Sequence, residues 1–172
     1  LLKHHGQLGP AEIAGKREWT YRQSLWLARE QGLSLRIPAA HPFNPLPLLR
    51  LAVACDAQGL PNRHVCETLF RHVWGEGLAA DDPQRLNALR EQLQPVHSPD
   101  DAEVKDRLRS ATEEAIAKGV FGVPTIAVDG FLFWGLDALP MLRQCLDGDP
   151  WFRSADWLDA AHWPVGVVRT RG

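Results

Sequence analysis

The stretch Val120-Phe121-Gly122-Val123-Pro124-Thr125-Ile126-Ala127-Val128-Asp129-Gly130-Phe131-Leu132-Phe133-Trp134-Gly135-Leu136-Asp137 decides how this chain folds. Thr125–Val128 is a short β-prone run and Phe131–Trp134 is a second. Asp129-Gly130 between them is a two-residue hairpin signal, because the favoured turns need positive φ at their central positions. Pro124 stands just ahead of the first run, a place where its missing N–H costs no ladder bond. Asp137 opens a helix predicted to run to about Leu146, with Gly148 after it. An isolated two-stranded hairpin is marginal in water. Further strands are therefore expected, either unrecognised in the chain or ahead of Leu1.

Working upstream, the pattern is helical. Pro10 opens a helix predicted over 10–31, and Gly32 closes it. An irregular stretch carries Pro38, Pro42, Pro45 and Pro47; within it, Asn44 followed by Pro45 reads as an N-cap and first helical position. That helix is expected to reach about Gln58 and stop at Gly59. Over 62–74, Val65, Leu69 and Val73 with Cys66, Phe70 and Trp74 form one apolar stripe, which makes Trp74 a core residue. Asp82-Pro83 starts a short helix carrying Leu86, Leu89 and Leu93. Ser98-Pro99-Asp100-Asp101 resembles a capping box ahead of a helix with Val104, Leu108, Ala111 and Ala115 inward, ended by Lys118 and Gly119. Downstream, the tail from Asp149 holds Trp151, Phe152, Trp157 and Trp163, which are expected to pack back onto the body because exposed aromatics are costly.

The 172 residues carry a formal net charge of -2 with both signs interspersed, so no basic stripe points to nucleic acid or an anionic membrane. No apolar run approaches the roughly 20 residues that cross a bilayer, and no signal-peptide pattern opens the chain. The first residue is leucine, not methionine, so a missing N-terminal segment is expected. Cys55, Cys66 and Cys145 are odd in number and widely spaced, which disfavours a disulfide framework, a CxxC redox motif or a zinc site. Each is read as a buried free thiol in a reducing, cytoplasmic compartment. His4, His5 and His41 have no carboxylate or nucleophile at a telling spacing and read as surface histidines.

Phe121-Gly122-Val123-Pro124-Thr125, with the strand, tight turn, strand and helix that follow, resembles the second half of a thioredoxin fold. The resemblance implies a cis Val123–Pro124 bond and a Val123 backbone offering its N–H and C=O to an extended peptide. More widely, the chain resembles the 2-hydroxychromene-2-carboxylate isomerases, relatives of the kappa-class glutathione transferases. Leu2-Lys3-His4-His5-Gly6-Gln7 is similar to that family's Phe-Lys-Ala-Thr-Gly-Asn, and Gly9-Pro10-Ala11-Glu12 and Lys16-Arg17 follow its pattern. Asn44-Pro45-Leu46-Pro47-Leu48-Leu49-Arg50 is similar to its Asn-Thr-Leu-Pro-Leu-Met-Arg, and Trp74-Gly75-Glu76-Gly77 to its Trp-x-Glu-Gly loop. Val120 to Thr125 and Phe133-Trp134-Gly135-Leu136-Asp137 match its glutathione-side motifs.

The resemblance implies an α/β fold: a thioredoxin-like domain of the DsbA and kappa type with a large helical insertion. Residues 1–10 would be a remnant of its N-terminal part, 11–118 the insertion, 119–148 the C-terminal half and 149–172 an extension. The first β-α-β unit, with a nucleophile-side serine, would lie upstream of Leu1, and the visible chain alone would be inert. Glutathione is the implied cofactor, with a small aromatic carboxylate as substrate, no metal, no nucleic acid, no membrane and a possible homodimer. Lys3, Gln7, Phe43 and Asn44 would face the substrate; Lys3 would offset negative charge. Gln7 stands at an asparagine position, while Asn44 also has the simpler role of N-cap. Val123, Pro124, Trp134, Gly135, Leu136 and Asp137 would hold glutathione, with Asp137 taking its α-amino group. Leu136 and Ala138 depart from the pattern, where relatives often carry a polar residue and an arginine. The implied reaction is a glutathione-dependent isomerisation of an aromatic enone acid. The alternatives are a kappa-like transferase or peroxidase and a non-catalytic thioredoxin-like interaction protein.

Overall fold

A computed structural model describes residues 1–2 and 4–167 and divides into two units, Leu1–Phe121 and a second beginning at Gly122. The first unit holds α1 (Ala14–Glu30), α2 (Leu46–Ala54), α3 (Arg63–Trp74), α4 (Pro83–Leu93) and α5 (Ala102–Ala117). Helix α2 is its centre, because its two faces are both apolar. Leu48 and Leu51 join Val73, Ala80 and Leu89 in one buried cluster, flanked by Phe43, Leu69, Leu86 and Leu93. Val53 and Ala54 join Val104 and Leu108 in another. Asn62 and Asp82 cap α3 and α4, accepting from the N–H groups of Val65 and Arg85 at 3.0 and 2.9 Å.

Several helix boundaries differ from the sequence pattern, and side chains are the cause. The helix expected from Pro10 breaks at Ile13 (φ -110°, ψ 114°), leaving a separate 3-10 turn, Pro10–Glu12. The Glu12 carboxylate accepts from Gly9 N–H at 2.5 Å and closes that turn on itself. Asn44 is not the N-cap expected: Pro45 holds that position and Leu46 is the first helical residue, while Asn44 Oδ1 accepts from Leu46 N–H at 3.2 Å in the turn just ahead of the helix. That helix stops at Ala54 rather than near Gln58, because the Asp56 carboxylate takes the N–H groups of Gln58 and Leu60. On α3 the expected stripe is narrower: Phe70 is exposed and Thr68 is buried in its place. On α5 only Val104 is buried, and Ala111 faces out. The three cysteines are free, as expected, but half-buried rather than buried.

The second unit opens with the hairpin. Strands β1 (Thr125–Val128) and β2 (Phe131–Trp134) pair antiparallel, Thr125 opposite Trp134 and Val128 opposite Phe131. Asp129 (φ 49°) and Gly130 (φ 84°) turn the chain with the positive angles that the Asp-Gly pair predicts. Val123–Pro124 is cis, as expected; His41–Pro42 in the first unit is also cis and was not anticipated. The last core helix, α6 (Leu139–Leu146), starts later than predicted, since Leu136–Ala138 forms a 3-10 turn. A 3-10 turn at Pro150–Arg153 and α7 (Ala155–Leu158) follow.

Phe133 is 1 % exposed and sits among Ala138, Leu142 and Phe152. Trp157 stacks on it at 6.2 Å between ring centroids and 16° between planes. The tail thus supplies the cover that two strands cannot make alone. Trp163 does not join, contrary to expectation; Phe152 and Trp157 already fill the places over Phe133, and Trp163 is left exposed. Phe133→Ala should lower the unfolding free energy by about 3–5 kcal/mol, read as a reduced midpoint in urea. A loss below about 1 kcal/mol, within the range of ordinary surface changes, would show that the tail does not close over the hairpin.

Candidate functional site

The end of the hairpin brings two of the expected segments together. Gly135 N–H donates to Pro124 O at 3.0 Å, which ties the turn after β2 to the residue before β1. Gly135 (φ 90°) adopts an angle suited to glycine, and a Cβ there would lie 2.6 Å from Asp137 Oδ1. The Asp137 carboxylate therefore folds back over Gly135, beside the Val123–Pro124 segment. It makes no hydrogen bond or ion pair among the described residues. Asp137 lies inside the 3-10 turn ahead of α6 and makes no cap hydrogen bond to the helix. Val123 is 74 % exposed, and its backbone is unbonded among the described residues. Gly122 is pressed by the Trp134 indole: a Cβ there would come 2.5 Å from Trp134 Nε1. Leu136 is exposed, whereas Ala138 is buried in the Phe133 cluster, so its small side chain serves packing.

The residues expected on the substrate side lie in the first unit and are less clearly a site. Lys3 lies outside the described residues. Gln7 is exposed and its N–H donates to Leu2 O at 2.9 Å. Phe43 packs against the α2 cluster. Asn44 Oδ1 accepts from Leu46 N–H in the turn ahead of α2, and its own N–H reaches Asp81 at 3.4 Å. His5 is not simply a surface histidine, since its Nε2 lies 3.1 Å from Val120 O.

The DSBA-like thioredoxin domain family matches residues 2–147. This chain belongs to that family. The thioredoxin-like chain is also 34% identical over 89 residues to the 2-hydroxychromene-2-carboxylate isomerase of Pseudomonas sp. (strain C18), covering 48% of this chain and 41% of that protein. It is 33% identical over 85 residues to the enzyme of the same name from Sphingobium xenophagum, covering 45% and 42%. The Pseudomonas putida enzyme of that name is 28% identical over 149 residues, 82% of this chain and 71% of that one. The matches thus span less than half of the first two relatives. A solved structure of a selenomethionine 2-hydroxychromene-2-carboxylate isomerase superposes with a TM-score of 0.67 at 25% identity, covering 87% of this chain and 74% of that one.

Sequence reading missed one constellation in this thioredoxin-like chain. Thr20, Tyr21 and Ser24 on α1, Leu35 and Ile37 after it, His41 and Trp74 line a pocket of about 220 Å³. Trp74, expected in the core, forms part of its wall. The Tyr21 hydroxyl lies 2.9 Å from His41 Nδ1 and 3.3 Å from the His41 carbonyl oxygen. The His41 ring also meets Trp74 edge-on at 5.3 Å and Phe43 at 5.9 Å. His41 is therefore half-buried rather than a surface histidine. Burial, helped by the Arg17 cation, holds its pKa below the ordinary 6.5. The unfolded chain takes up this proton near 6.5 while the folded chain resists, so stability present above that value is lost as pH falls toward the folded pKa. His41→Phe removes the titrating group. The variant's urea midpoint should fall less than the parent's between about pH 7 and about pH 5. Parallel losses in both proteins would show that His41 titrates as it does in the unfolded chain.

Proposed function

We propose that this chain is part of a glutathione-dependent isomerase acting on 2-hydroxychromene-2-carboxylate or a closely similar aromatic enone acid. The observation that carries the reading is the likeness to a solved isomerase over 87% of the chain, with the hairpin-end residues inside the span 2–147 that the family matches. The residues present fit glutathione. A peptide-like ligand needs backbone donors and acceptors that nothing else uses, and Val123 offers both. Its terminal ammonium needs an unpaired carboxylate, and Asp137 is one. Pro124, Trp134, Gly135 and Leu136 frame these two groups and would set the ligand's orientation.

When bound, glutathione would supply a thiol for reversible addition to the conjugated double bond of the substrate. The chain's own part is binding and orientation. Val123 would align the cysteinyl unit by strand-like hydrogen bonds, and Asp137 would fix the far end by charge. On the substrate side, Lys3 would face the carboxylate and Gln7 would donate an amide hydrogen bond. Phe43 and the Asn44 amide would border the ring.

Asp137→Asn tests the cofactor site. The loss of a charge-assisted hydrogen bond of about 1.5–3 kcal/mol should weaken glutathione binding roughly ten- to a hundredfold in calorimetry. The thermal melt should not move, because Asp137 makes no cap. Unchanged affinity would sink the assignment. Turnover of 2-hydroxychromene-2-carboxylate should also require glutathione, and equal rates without it would remove the cofactor from the reading.

A further inference from the structure

Helix α1 holds no buried residue. Its half-covered side carries Thr20, Ser24 and Leu27, and helical spacing turns Trp19 and Trp26 the opposite way, where they are 66 % and 57 % exposed. Two tryptophans seven residues apart on one open face are costly unless something covers them. At steps of three and four, Trp19, Arg22, Trp26 and Arg29 follow one line along that face. Lys16, Gln23 and Glu30 flank the line on one side and Glu18 and Leu25 on the other, all of them exposed.

The order of these residues fits one kind of partner. The flank Lys16, Gln23, Glu30 reads basic, neutral and acidic along the helix, so the same helix run backwards is its complement. In an antiparallel helix pair, flanking positions on the same side face each other, while the central positions alternate in layers. Placing Gln23 opposite Gln23 of a second copy brings Lys16 against that copy's Glu30 and Glu30 against its Lys16. The same register sets Trp19 against Arg29 and Trp26 against Arg22 of the second copy, an indole facing a guanidinium in each layer. On the far flank Leu25 meets its own copy. Lys16, Arg29 and Glu30 form no ion pair among the described residues and are free to make these contacts. Arg22 holds Glu18 at 2.8 Å, an exposed pair worth little. A nucleic acid would instead meet Glu18 and Glu30 with like charge.

We propose that two copies of this chain pair through α1, antiparallel, about a twofold axis near Gln23 and Leu25. A single pair of helices is at the small end of specific interfaces, so the dimer is transient, with a dissociation constant on the order of tens of micromolar. The inference uses no residue of the hairpin end and stands apart from the isomerase reading.

The test is sedimentation equilibrium of the 172-residue chain from low micromolar to millimolar concentration. A monomer–dimer equilibrium that weakens with added salt is expected. Lys16→Glu and Glu30→Lys each set like charges together twice per dimer, and each alone should weaken association about three- to thirtyfold. Mixing these two variants in equal amounts should restore association, because in the mixed pair both contacts are again opposite in sign. Trp26→Ala, at an exposed helix position that suits alanine, should weaken it by more than about tenfold. A monomer at every concentration would overturn the proposal. So would a dimer that the single charge reversals leave unchanged, or a loss that mixing them does not repair, since either outcome puts the contact on another face.

Discussion

Two strands have two faces, and neither can stay dry without help. The contact that solves this here is the stack of Trp157 on Phe133, with Phe152 against the same ring. It holds β2 flat against α6, and β2 holds β1 in register. The turn after β2 then reaches Pro124 through Gly135, and that bond ties the segment holding Val123 to the turn that carries Asp137. The geometry at the hairpin end therefore traces back to aromatic residues in the tail, beyond the stretch that carries the motif. Tryptophan in that role has a cost as well: Trp157 Nε1 is buried without a hydrogen-bond partner among the described residues, so apolar contact must outweigh an unmet donor.

How much of this was legible in the sequence depended on how local the signal was. The strands were readable to the residue because Asp129-Gly130 fixes the turn and the turn fixes the register. The helices were readable as helices, but their ends were not. Glu12, Asn44 and Asp56 each bind backbone N–H groups and so decide a boundary by a hydrogen bond that no periodicity contains. Phe70 and Thr68 exchanged places for a related reason, since the stripe on α3 is only as wide as the helices packed on it. The hairpin-end residues were legible through their motif and kept company in space. Tyr21 and His41 were not, because they lie 20 residues apart and neither belongs to a recognisable pattern.

The two departures from the motif now have different physical standing. Ala138 lies in the Phe133 cluster, where an arginine would have to leave the core or bring a charge into it. Its small size is part of the packing. Leu136 is exposed and packs in no core cluster, so its difference is free to alter what the hairpin end recognises. Packing thus constrains one position, and the other is left open to specificity.

The outer edge of β1 has a consequence for how the protein behaves in the tube. Among the described residues β1 pairs only with β2, and its run is Thr-Ile-Ala-Val, with Ile126 exposed and no charge along it. Natural edge strands are blunted with lysine, proline or a bulge. Whenever this edge is uncovered, identical edges can zip together, so clouding on warming or concentration would be a matter of colloid chemistry and would begin before the helices melt. A single lysine at Ala127 would supply the missing gatekeeper.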